Sequence, residues 1–436
     1  MTSEIVIMNK EAIAIAADSA ITLQNERSNK VFISANKIFT LSKYYPVSIM
    51  VYQDSQFMGI PWEIIIKTYR YNLDNKSFPR LDDYAKDFIK FFNYKNNLFP
   101  ASIQDRYLRI RVEGFFLFIK NEITESIKSK IECDKKIDDQ GIINIIDYNI
   151  NNYHNLWEKD ADLFDNSSNE FQNTLKIKYK DLFEEIINDI FQNLPLHKKN
   201  RELLIKIALN LLTKYSKVLF NAFYSGVVIA GYGQEDFYPS LRSFIFYNVI
   251  DNKLMYRIDS DNTVDINNEI IATINPFAQS DMVETFIEGL SPNWHSFIFN
   301  ILKTLINDYP STILNSISNI NKKDKEKLIE NSRKISKQEF KKFKEEFQNY
   351  AKSNYITPIT SMVASLPKDE IASMAESLVN LTSFKRKISM EPETVGGPVD
   401  VAIISKGDGF IWIKRKHYFT KELNPHFFKN YFRKEK

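Results

Sequence analysis

The chain of 436 residues has a single cysteine, Cys133, so no internal disulfide framework is available to it. No apolar run approaches the roughly 18 residues that a bilayer-spanning helix requires. The first residues lack the basic and apolar regions of a secretory signal peptide, and with one cysteine the expected compartment is the cytoplasm. Excess charge is missing too: 58 basic and 55 acidic side chains leave a formal +3, too little to pull the chain toward nucleic acid or an anionic membrane. The histidines, at 154, 197, 295, 417 and 426, have no paired spacing, and no metal site is expected. No Gly-x-Ser-x-Gly elbow occurs. Gly231-x-Gly233 is followed by Phe237-Tyr238-Pro239, not by the helix that a dinucleotide fingerprint needs, so it reads as a turn.

What is present is ample apolar material, 44% hydrophobic and 14% aromatic, and an unusual start. Thr2 follows the initiator methionine and opens a β-patterned run through Ile5-Val6-Ile7, a turn at Asn9-Lys10-Glu11 and a second apolar run ending Ala16-Ala17-Asp18. An antiparallel hairpin of these runs returns Asp18 to the neighbourhood of Thr2. Once Met1 is removed, Thr2 carries both a hydroxyl and an α-amine, and an amine with an ordinary pKa of roughly 7.7 to 8.0 is a competent base near neutral pH. Lys37, ahead of the apolar run Ile38-Phe39, supplies an ammonium for a developing alkoxide, with Asp18 to hold it charged and oriented. Each residue alone has an ordinary reading, Asp18 as a turn residue and Lys37 as a strand-edge charge. Their combination with Thr2 is what points to nucleophilic catalysis.

The order of an N-terminal Thr, Ala-Ala-Asp-Ser closing a second strand, and Lys before a short apolar strand resembles the proteasome β subunits and their bacterial ring-protease relative, within the N-terminal nucleophile (Ntn) hydrolases. Gly396-Gly397-Pro398-Val399-Asp400 and the following strand pair, with Lys406-Gly407-Asp408-Gly409 between, resemble that family's final Gly-Gly loop and hairpin. The resemblance implies an α+β fold, a four-layer αββα Ntn-hydrolase sandwich, carrying two helical insertions. Core segments are expected at 1–72, 199–290 and 367–436, with helical insertions at 73–198 and 291–366. Within these, a helix is expected over Ser55–Tyr71 and another over Arg201–Tyr224. The charged centre of the second insertion, 321–346, reads as a solvated helix face, with docking to a partner as the alternative.

By the same resemblance Thr2, Asp18 and Lys37 are catalytic, and the backbone NH at Gln53 lines the oxyanion hole in the turn Tyr52-Gln53-Asp54, where the family has glycine and this chain has none. Ser280, Glu393 and Thr394 are the supporting counterparts, the last two by chemistry more than by register. The implied function is hydrolysis of peptide or amide bonds by an acyl-enzyme route without a cofactor. The implied partners are a peptide or amide substrate, further copies in a homo-oligomer, and an ATP-dependent unfoldase or other protein. Two rival readings stand beside it: a catalytically silent scaffold or binding subunit, and a small-molecule amidohydrolase.

Overall fold

The computed structural model describes residues 3–25, 28–93, 98–134, 136–216, 224–317, 320–389 and 395–431. In chain order the strands along the main paths of its two larger sheets are β1 (Ser3–Asn9), β2 (Ile13–Ala17), β3 (Ile38–Thr40), β4 (Val47–Tyr52), β5 (Ser225–Gly231), β6 (Ser240–Ile250), β7 (Lys253–Ile258), β8 (Ala272–Ala278), β9 (Asp400–Ser405) and β10 (Gly409–Lys414), with the short strand Val264–Asp265 pairing beside β6 off that path. The fold is α+β, and it divides into two compact units: Met1–Ile38, Phe237–Pro239 and Asp265–Lys436 in one, Phe39–Asp236 and Ser240–Val264 in the other.

In the first unit the sheet order is β8-β1-β2-β9-β10, each neighbouring pair antiparallel. Strands β1 and β2 are buried along their whole length, so they read as continuous apolar runs without alternation. Asn9 makes the turn between them: its side-chain oxygen accepts from Glu11 N and Ala12 N at 3.0 and 3.1 Å. Its amide donates to the Val363 and Leu366 carbonyls at 3.0 and 2.9 Å, fixing the hairpin to a neighbouring helix end. One face of this sheet, with Ile5, Ile7, Ala14, Ala16, Val401 and Ile403, packs against the helix over Lys368–Ile388 through Ile371, Ala375, Leu378 and Val379. Those four recur at helical spacing, and the alanines of β2 allow the helix to approach closely. Glu4, Ala17 and Asp400 stand side by side on the other face, since Ala17 pairs with Glu4 on one side and with Asp400 on the other.

The second unit's sheet runs β7-β6-β5-β4-β3. Its apolar face, including Ile49, Val51, Val227, Ile229 and Phe246, is covered by helices α1 (Trp62–Leu73) and α2 (Leu81–Phe92). Phe57, Trp62, Phe88, Phe92 and Phe246 pack there with ring centroids 5.3 to 6.4 Å apart. Helices α3 (Ala101–Asp134), α4 (Asp139–Lys159), α5 (Asn169–Lys178), α6 (Lys180–Phe191) and α7 (Lys198–Thr213) build a further apolar cluster around Phe115, Phe116, Trp157, Phe183 and Leu204.

Two helix expectations are corrected. The first helix starts at Trp62, not Ser55, because Gln56–Phe57 and Ile60–Pro61 form a small hairpin around Gly59, whose φ is 78°. Helix α7 ends at Thr213: Lys214–Ser216 instead pair as a strand with Ala161–Leu163. The remaining part of that expected helix, 217–223, lies outside the described residues. Gly231-x-Gly233 is a place of close backbone approach: a Cβ on Gly233 would stand 2.3 Å from Arg80 Cα, and one on Gly231 2.2 Å from the Pro46 carbonyl.

Candidate active site

Asp18 directly follows β2 and is 1% exposed. A buried carboxylate needs several donors, and Asp18 has them: Ser3 N at 3.1 Å and the Lys37 ammonium on Oδ1, Gly396 N at 2.9 Å and Ala20 N at 3.3 Å on Oδ2. These bonds tie three distant stretches of sequence to one side chain: the start of β1, the segment before β3 and the Gly-Gly loop. Ser19 reinforces the loop, its N–H donating to the Gly396 carbonyl at 3.1 Å and its hydroxyl to the Pro398 carbonyl. Gly397 is required there, since its φ is 80° and a Cβ would stand 2.9 Å from that of Ile33.

Lys37, 5% exposed, bears two carboxylates. Besides its hydrogen bond to Asp18, its ammonium lies 3.0 Å from Oε1 of Glu4. The Glu4 carboxylate is as buried as that of Asp18. Sequence reading missed Glu4, because an acidic residue near the start of a strand usually faces water. A second ion pair adjoins: Lys416 binds Asp400 through its ammonium, and its backbone N–H donates to Asp400 Oδ1 at 2.8 Å. Burial pulls the Lys416 pKa below the ordinary lysine value, opposed by Asp400 and assisted by the nearby Lys37 charge. The arrangement gathers three carboxylates, Glu4, Asp18 and Asp400, around two ammonium groups, Lys37 and Lys416. Among the described residues no group of His, Cys, Asp and Glu could hold a metal ion.

Ser280 lies two residues beyond Ala278, which pairs with Ser3, and precedes helix α8 (Asp281–Glu288); its hydroxyl makes no cap to that helix. Gln53, in the second unit, centres a three-residue turn closed by Asp54 N–H to the Tyr52 carbonyl at 3.0 Å, and its φ is 75°. The backbone conformation that suits glycine is therefore held by an exposed glutamine. Left-handed backbone costs a residue with a Cβ about 1–2 kcal/mol. Gln53→Gly is accordingly expected to raise stability by about 0.5–1 kcal/mol after glycine's own entropic cost, as measured by urea unfolding; a loss would show that the glutamine side chain matters more than the turn. Thr2, Glu393 and Thr394 lie outside the described residues.

No family model and no curated protein matches the chain. Among solved structures it is similar to Anbu (ancestral beta-subunit) from Yersinia bercovieri, at 8% identity and a TM-score of 0.27, the match covering 98% of this chain and 94% of that one. No described helix is long and apolar enough to cross a membrane.

Proposed function

We propose that the chain is a hydrolase of peptide or amide bonds, with Thr2 as nucleophile after removal of Met1. One observation carries the reading. The N–H of Ser3 donates to Asp18 Oδ1, the same oxygen that holds the Lys37 ammonium. Residue 2 is joined to that nitrogen by a single peptide bond.

In this mechanism the Thr2 hydroxyl oxygen attacks the substrate carbonyl and its proton passes to the Thr2 α-amine, directly or through one water. Lys37 stabilises the forming alkoxide, Asp18 anchors Lys37, and the backbone NH at Gln53 donates to the oxyanion. Ser280, Glu393 and Thr394 orient the amine. The tetrahedral intermediate collapses as the amine returns the proton to the departing nitrogen, leaving an ester on Thr2; water then adds and releases the acid. The reading implies the four-layer αββα sandwich of the family that the sequence resembles. The same reading implies a homo-oligomer and leaves room for an unfoldase partner.

The rival reading, a silent scaffold or binding subunit, draws on Glu4: a second carboxylate on Lys37 offsets the positive field an alkoxide needs. A small-molecule amidohydrolase would use the same residues and differ in substrate length. Intact-mass spectrometry with an electrophilic lactone separates the hydrolase readings from the scaffold. The proposal expects a chain without Met1 that is labelled on Thr2. Label that persists in Thr2→Ala overturns it, and a retained Met1 with no label favours the scaffold.

A further inference from the structure

Helix α9 (Pro292–Ser316) and helix α10 (Lys322–Ala351) form a hairpin, and none of their described residues is buried. α9 has two apolar faces. One packs on α10, where the ring of Phe299 lies 5.9, 5.8 and 5.3 Å from those of Phe340, Phe343 and Phe347. The other carries Trp294, Phe297, Ile301, Leu305 and Tyr309, which recur at three- and four-residue spacing along one stripe. All five are exposed, from 42% at Ile301 to 64% at Tyr309.

At the size of such side chains the stripe and its border present on the order of 600 Å² of apolar surface, at or above the largest patch an ordinary monomer shows, about 300–600 Å². Charge indicates what covers it. Lys303 and Asp308 are the only Lys, Arg, Asp or Glu residues of α9, whereas sixteen of the thirty residues of α10 are of those types. A helix lying on a membrane carries Lys and Arg on its polar face, and nucleic acid requires a basic surface; α9 has one lysine. A two-fold contact asks only that one patch be complementary to itself. Two such stripes together bury about 1,200 Å², the lower end of a stable specific interface.

We propose that α9 docks against α9 of a second copy of this chain, closing two hairpins into a four-helix bundle with the apolar stripes inside and the charged faces of α10 in water. The contact goes beyond the hydrolase reading and holds whether or not Thr2 is a nucleophile. Sedimentation of the full chain at low micromolar concentration is expected to show self-association. The pair Ile301→Lys and Leu305→Glu should reduce the assembly mass by one two-fold step, with helicity by circular dichroism retained. Because a charged variant could fail for other reasons, a second measurement pairs a Leu305→Glu chain with a Leu305→Lys chain, and the mixture should associate where each alone does not. A monomeric wild type, an assembly unmoved by the double substitution, or uptake of the wild type by anionic vesicles that the same substitutions abolish would each overturn the proposal.

Discussion

Lys37→Ala is expected to lower the unfolding free energy by on the order of 3–5 kcal/mol. The ammonium serves two carboxylates at once, Glu4 and Asp18, and neither carboxylate is exposed. Water cannot replace a cation there, so the substitution leaves two buried negative charges facing each other where their repulsion is weakly screened. The folded variant should relieve this by binding a proton. Its folded state then holds more protons than its unfolded state, so the variant gains stability as pH falls and loses it as pH rises through the raised carboxylate pKa. The deficit against wild type should therefore be largest at neutral and alkaline pH. Adding Glu4→Gln, which keeps the shape and removes one of the charges, should recover part of the loss, and a double-mutant cycle in urea measures how much. A deficit under about 1 kcal/mol, the range of exposed ion pairs, would mean that solvent reaches the cluster and that burial does not define it.

The sequence exposes this site unevenly, for physical reasons. The β1–β2 hairpin was legible from its apolar runs and its Asn-Lys-Glu turn, and antiparallel pairing then required that Asp18 return beside the start of β1; Glu4 pairs with Ala17 as that register demands. The Asp18–Lys37 contact was legible as a charge complement. Glu4 was not. In a strand buried on both faces there is no alternation to assign an acidic residue to one side, and only the row Glu4, Ala17 and Asp400 across three strands shows it turned inward. The Lys416–Asp400 pair was hidden for a related reason: Lys416 follows the last strand, where a lysine ordinarily reaches water, and its partner Asp400 lies sixteen residues back at the start of β9. The start of α1 was misplaced because Gly59 and Pro61 turn the chain before the helical spacing takes hold.

Thr2→Ala is expected to cut turnover and lactone labelling by on the order of 10⁴-fold or more, the scale on which enzymes lose rate when the nucleophile itself is removed. Thr2→Ser should retain both, because serine at that position still presents a hydroxyl and an α-amine on one residue. Acetylating the α-amine, or retaining Met1, should be as damaging as Thr2→Ala even though the hydroxyl survives, since each removes the proton acceptor. These variants leave the buried cluster of Glu4, Asp18 and Lys37 intact and should unfold at the wild-type urea midpoint, which separates them from Lys37→Ala. The comparison is decisive because an alternative nucleophile would respond differently: activity above a tenth of wild type in Thr2→Ala would place the chemistry on another residue. Loss in Thr2→Ala with full activity in the acetylated protein would retain the hydroxyl and assign its proton to a different base. Glu4 and Asp18, whose buried carboxylates both lie on the ammonium that the mechanism uses, are then the bases to test by substitution with the amide.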